Sequence, residues 1–191
     1  MSIYCIYKNL ILLYVVCWKV KFIKVFAIDS ASKKSGWSFF INKKLIDYGL
    51  IRANEKDDVD NRIMQIYLEI KKLVQKYEPD YIVFENTPSM NAKVARDLSR
   101  IHGCIMSLVF DSDGKMGFRD YMPTTWRSII GTYNGTRAGQ KRDYQKQKAI
   151  EIVNTKYNKQ FIYDKSDKNG DDDICEAILL GEAFYIIENE E

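Results

Sequence analysis

The acids of this chain fall where carboxylates can act together. Asp29 closes the apolar run of FAID and Glu85 closes YIVFE; each stands at the carboxyl end of a predicted strand, where open α/β sheets place their ligand sites. Taken singly, either acid more often caps a helix or meets water, and burying it beside apolar runs is costly unless a cation or hydrogen bonds compensate. The third group is Asp171-Asp172-Asp173-Ile174-Cys175-Glu176-Ala177. Asp173 and Glu176 are spaced to project from one helical face, while Ile174, Ala177 and Ile178 can pack. N-capping and dipole compensation account for one of the aspartates but leave Glu176 unexplained. If Asp29, Glu85, Asp173 and Glu176 converge, their mutual repulsion calls for divalent cations. Oxygen-only ligands favour Mg²⁺, with Mn²⁺ as a substitute. Two such ions about 4 Å apart can activate a water at a phosphodiester and stabilise the leaving oxygen.

Basic residues are spaced to surround such a centre. Arg127, Arg137, Lys141, Arg142, Lys146 and Lys148 share a segment whose single acid is Asp143, and Lys93, Arg96 and Arg100 step along one predicted helix. Any one of them fits an ordinary solvated surface; as a group they fit phosphate contacts and salt-dependent binding. His102 lies mid-helix and reads as packing. Trp126 reads as a core anchor rather than a base-stacking platform.

The elements that must position these residues follow from hydropathy. Lys21 to Ile28 reads as a strand running into Asp29, and Trp37 to Ile41 and Lys44 to Arg52 as two more, joined by a polar turn at Asn42 and Lys43. From Val59 to Tyr77 the apolar residues step by three and four, the stripe of an amphipathic helix, which Pro79 stops. Tyr81 to Phe84 is a short apolar run suited to a strand covered on both faces. Helices are expected at Asn91 to Phe110, Gln140 to Tyr157 and Asp172 to Ile187, with a strand from Gly117 to Met122. Val94, Leu98, Ile101, Ile105 and Leu108 give the Asn91 to Phe110 helix a stripe long enough to suggest a subunit interface.

Composition sets the frame. The 191 residues are 46% hydrophobic and 29% charged, enough for one good core and too few for two separate domains. Four cysteines, none in a CxxC pair, and one histidine exclude an ordinary structural zinc site and fit reduced thiols in an intracellular protein. A formal charge of +3 decides little about partners. Residues 1–21 form an apolar extension interrupted by Lys8 and Asn9, ahead of a domain spanning 22–191. Its uncharged stretch, Leu10 to Trp18, is too short to span about 30 Å of hydrocarbon as a helix, so stable membrane insertion is not expected. No small-residue cleavage site follows it.

In order along the chain stand FAIDSAS, VFENTPS, PTTWRSIIG, KRDYQKQKA and DDDICEAILLG. Together they resemble the RuvC-type Holliday junction resolvases of the RNase H-like fold, particularly their phage-like branch, over residues 22–187. The resemblance implies an α/β domain: a mixed five-stranded sheet, a three-strand antiparallel meander plus parallel strands, flanked by helices. It implies a Mg²⁺-dependent endodeoxyribonuclease that cuts four-way junctions by paired symmetric nicks, as a homodimer, leaving a 5′ phosphate and a 3′ hydroxyl. By this likeness Asp29 bridges the ions, Glu85 serves one, and Asp173 and Glu176 serve the other, with Asp172 in reserve if the register slips by one. Lys141 is then the candidate lysine near the scissile phosphate, and Met90, in the loop from Asn86 to Asn91, a candidate wedge at the strand exchange. Two features depart from the pattern: Glu176 stands where Asp is commoner, and the leading twenty residues have no counterpart. Glu176 keeps a noncatalytic branched-DNA-binding module as an alternative. An actin-like or Hsp70-like nucleotide-binding protein would share the Asp-tipped strand and hairpin but needs a Gly-rich second phosphate loop and a longer chain.

Overall fold

The computed structural model describes residues 22–86, 91–166 and 170–189. The extension at 1–21 and the loop position of Met90 lie outside the described residues. Strands β1 (Lys24–Asp29), β2 (Lys34–Ile41) and β3 (Lys44–Arg52) form the meander, followed by helix α1 (Val59–Tyr77) and strand β4 (Tyr81–Glu85). Helix α2 (Ala92–Phe110), strand β5 (Gly117–Tyr121) and helices α3 (Pro123–Ile130), α4 (Arg142–Tyr157) and α5 (Asp172–Ile187) complete the fold. The five strands make one mixed sheet in the order β3-β2-β1-β4-β5. β1 runs antiparallel to β2 and parallel to β4, and β5 is parallel to β4.

Period-two alternation sorts the strand residues between two cores. Val25, Ala27 and Val83 face α5, and Phe26, Ile28, Ile82 and Phe84 face α1 and α2. Both faces of β1 and β4 are covered, which is why these strands read as continuous apolar runs. The same alternation puts Asp29 and Glu85 on the α5 face. The register pairing Ile28 with Phe84 sets them at the tips of adjacent strands.

Helix α5 is buried from Asp172 to Tyr185, between the sheet and the helices α3 and α4. A helix enclosed in this way needs apolar residues all round rather than a stripe. Gly36 lets it sit close. Gly36 lies opposite Asp29 across the β1–β2 ladder, and a Cβ there would come 1.9 Å from the carbonyl oxygen of Asp173. Only glycine allows the first turn of α5 to rest against the sheet beside Asp29.

One expected boundary is corrected. β2 begins at Lys34 rather than Trp37, because ladder pairing of Lys34 with Arg52 and of Gly36 with Leu50 extends it through residues of weak strand propensity. The Pro-Thr-Thr-Trp-Arg segment is itself helical, with Pro123 in the first turn, where its missing N–H costs nothing. On α2, Ile101, Ile105 and Leu108 are buried in the core between the helix and the sheet, whereas Val94, near the helix start, is 45% exposed.

Candidate active site

Carboxylate oxygens of Asp29, Asp173 and Glu176 lie within 4.8 Å of one another. They share a cleft of about 540 Å³ with Glu85, Lys34 and Arg127. Asp29 comes from the end of β1 and the other two from the first turns of α5. The extra methylene of Glu176 therefore still brings its carboxylate to the other two. Asp172 points elsewhere: it is fully buried, is bonded by the Lys146 ammonium, and stands outside the carboxylate group.

Glu85 is held at the edge of this group. Its Oε2 accepts a 2.8 Å hydrogen bond from the indole N–H of Trp126 and lies 3.0 Å from Arg127 Nη2. The same guanidinium nitrogen donates to Glu176 Oε1 at 2.9 Å, so Arg127 ties β4 to α5. Trp126 is the expected core anchor, 1% exposed, and its polar edge also fixes a site carboxylate. The Lys34 ammonium sits 2.8 Å from Asp173 Oδ2. Behind Asp29, on the other side of the sheet, the Ser30 hydroxyl is hydrogen-bonded to His102 Nε2 at 3.0 Å, and the imidazole lies on the ring of Phe84.

Burial is the largest influence on these acids, and it raises them. Asp29 is pushed well above the usual carboxylate range by desolvation, then by the charges of Glu176, Asp173 and Glu85, with Arg127 opposing. Glu176 is raised by burial and by Glu85, against the pull of Arg127. Asp173 is raised by burial and by Asp172, while its hydrogen bond from Lys34 works the other way. Hard oxygen donors that repel one another as anions fit a hard divalent cation, whose charge would reverse each of these shifts.

The basic residues divide into two sets. Lys93, Arg96, Arg137, Lys141 and Arg142 are exposed. Two expected surface contacts prove to be internal. Lys146 is 6% exposed and bonded to Asp172 and Asp173, because it shares the buried face of α4 with Ala149, Ile150 and Val153. Arg127 is largely buried between Glu85 and Glu176. Lys141 is the exposed N-cap of α4, directly before Arg142, which lines the cleft together with Gln145. The residue that sequence reasoning missed is Lys34. It lies two places before Gly36 and shares its strand face, but that signal needs the β1–β2 register to be read.

A mixed sheet with a buried helix across its centre, acids at two adjacent strand tips and two more on that helix defines an RNase H-like nuclease fold. The family model for crossover junction endodeoxyribonuclease RuvC matches residues 25–161, and the chain belongs to that family. The match covers Asp29 and Glu85 and ends before α5. RuvC of Rickettsia conorii is 26% identical over 114 residues, covering 57% of this chain and 71% of the relative. RuvC of Rickettsia akari is 27% identical over the same length and coverage. Among solved structures, T. thermophilus RuvC in complex with Holliday junction substrate superposes with a TM-score of 0.66 at 10% identity, covering 88% of this chain and 96% of that one. The Fowlpox virus resolvase, solved with its Holliday junction DNA, gives 0.56 at 15% identity, covering 88% and 99%. At these identities the structural likeness establishes the fold. No described helix is long and apolar enough to cross a membrane.

Proposed function

We propose that this chain is a metal-dependent endodeoxyribonuclease that resolves four-way DNA junctions by paired symmetric nicks. The observation that carries this reading is the meeting of Asp29, Asp173 and Glu176 within 4.8 Å in a cleft whose lining also holds Glu85, Lys33 and Arg142. Asp29, Asp173 and Glu176 would hold a divalent ion, Mg²⁺ or in its place Mn²⁺, with Glu85 as the fourth acid. Such an ion, when bound, supplies a Lewis acid for the phosphoryl oxygen and lowers the pKa of a coordinated water. The chain's own residues do the rest. Trp126 and Arg127 fix the Glu85 carboxylate, and Arg127 also orients Glu176. Exposed Arg142 and Lys33 in the lining offer charge to the phosphates beside the cut strand. Lys93, Arg96, Arg137 and Lys141 extend that positive surface, so junction affinity falls steeply with salt.

Two symmetric cuts require two sites related by a twofold axis, so the working unit is a homodimer. A monomeric mass by light scattering, at concentrations giving full activity, would refute it. The reaction places the protein with DNA inside a cell. The test of the function is Mg²⁺-dependent cleavage of a synthetic four-way junction beside a linear duplex of equal sequence. Paired nicks in the junction, leaving 5′ phosphate ends, are expected. Binding without cutting in either Mg²⁺ or Mn²⁺ would overturn the catalytic reading.

A further inference from the structure

Lys34 is a cation placed where a metal-ion site would be expected to exclude one. It is 8% exposed, on the second strand of a hairpin whose turn is pinned by Ser35: the Ser35 hydroxyl donates to the Ala31 carbonyl at 2.9 Å and accepts from the Ala31 N–H at 3.0 Å. Ser35 points to one face of the sheet, so Lys34 and Gly36 share the other. Gly36 touches the backbone of Asp173 and the Lys34 ammonium reaches that residue's carboxylate at 2.8 Å. One short stretch of β2 thus sets both the main chain and the charge environment of Asp173. Lys146 approaches the opposite oxygen, Oδ1, at 3.5 Å, so Asp173 lies between two ammonium groups.

We infer that Lys34, as the resident counter-cation of the Asp173 carboxylate, limits how tightly the site binds a divalent ion. The inference rests on the proposed metal-dependent reading and adds to it the residue that sets the ion's affinity. The physical ground is Coulombic. A fixed positive charge a few ångströms from a bound dication, in a half-buried cleft, raises the ion's energy, whereas the same charge steadies the crowded acids when no ion neutralises them. The site is therefore tuned to take its ion weakly on its own and to fill when substrate phosphate contributes further oxygen ligands.

The test is calorimetric titration of Mn²⁺ into the DNA-free full chain, for wild type, Lys34→Met and Lys34→Arg. Lys34→Met removes the charge and keeps the bulk, and should tighten Mn²⁺ binding by about tenfold. Lys34→Arg keeps the charge and should stay within about threefold of wild type. On junction DNA, the Mg²⁺ concentration for half-maximal cleavage should fall in Lys34→Met in the same direction. The sign separates this role from a merely structural one, because a disturbed Asp173 loses affinity. Unchanged or weaker Mn²⁺ binding in Lys34→Met would overturn the inference while leaving the nuclease reading intact. Absence of Mn²⁺ binding in both the wild type and Lys34→Met would also overturn the inference, and failure to cut junction DNA in either metal would overturn the nuclease reading. Should Lys34→Met fail to fold, Lys34→Gln makes the same comparison without the charge.

Discussion

The two faces of the sheet are built from the same strands and put to opposite uses. Against α1 and α2 the core is apolar, built from Phe26, Ile28, Ile66, Ile70, Ile82 and Ile105 with Tyr77 stacked on Phe39, and the Ser30–His102 hydrogen bond lies at its edge. Against α5 the strands also carry an apolar core, but toward their carboxyl ends that core gives way to Asp29, Glu85, Asp173 and Glu176, with Arg127, Lys34 and Lys146 among them. One face gains stability from burial at about 25 cal/mol per Å² of apolar surface. The other holds partly desolvated acids that repel one another. The α1 and α2 face carries the fold and, on the proposed reading, the α5 face carries the chemistry, so a substitution's effect should depend on which face it touches.

The largest expected effect is on the α5 face. Asp29→Asn removes a carboxylate central to the cluster and should lower cleavage by about a thousandfold or more, roughly 4 kcal/mol of barrier. Junction binding should survive or tighten, since the phosphate-contacting cations meet one fewer acid. Single-turnover cleavage and gel-shift titration measure the two quantities. Cutting within a few fold of wild type would remove Asp29 from the site.

Next comes the mirror-image loss on the apolar face. Ile70 is fully buried on α1, and Ile70→Ala should cost about 2–5 kcal/mol of stability through lost contacts and a cavity. The fraction that remains folded should cleave at the wild-type rate. Urea denaturation with activity corrected for folded fraction tests this. A specific loss of turnover would mean that the two faces are coupled more tightly than the packing implies.

How far the site was legible in the sequence follows from the same division. The apolar runs ending at Asp29 and Glu85 and the spacing of Asp173 and Glu176 are local signals, and the structure brings three of these four carboxylates together and sets Glu85 beside them. Lys146 was legible in principle: Ala149, Ile150 and Val153 follow it at helical steps, so it lies on the buried stripe, yet the density of Lys and Arg around it reads as a surface. Lys34 and the Trp126–Glu85 bond were not legible. Each depends on two elements distant in sequence meeting in a particular register, which no local pattern encodes.

Gly36→Ala tests the point where the faces of the comparison meet, with a smaller cost to folding. A methyl group there collides with the Asp173 carbonyl, and α5 must lift at its first turn, at about 1–3 kcal/mol. Unlike Ile70→Ala, it should also depress cleavage per folded molecule, because Asp173 and Glu176 move with that turn. Full specific activity beside a lowered urea midpoint would mean that the close approach matters to packing alone.

The smallest effect is a slope. Asp29, Asp173 and Glu176 all have folded-state pKa values raised by burial, so above about pH 4 the folded protein keeps protons that the unfolded chain has released. Stability that these groups contribute is complete below that point and is lost as pH rises through their folded values. The metal-free protein should therefore lose stability with rising pH across the mildly acidic range, and Mn²⁺ should restore it most where the acids are ionised. His102 works in the opposite sense: its pKa is lowered by burial, so its contribution grows as pH rises toward about 6.5. That term is common to every variant. Asp29→Asn, which deletes one raised acid and relieves its neighbours, should flatten the fall, whereas Ile70→Ala should lower the whole curve and leave its slope alone. Chelated protein melted in urea at a series of pH values gives both comparisons. Equal slopes for Asp29→Asn and wild type would show that the carboxylates are not electrostatically crowded, and would take away the reason for the α5 face to bind an ion.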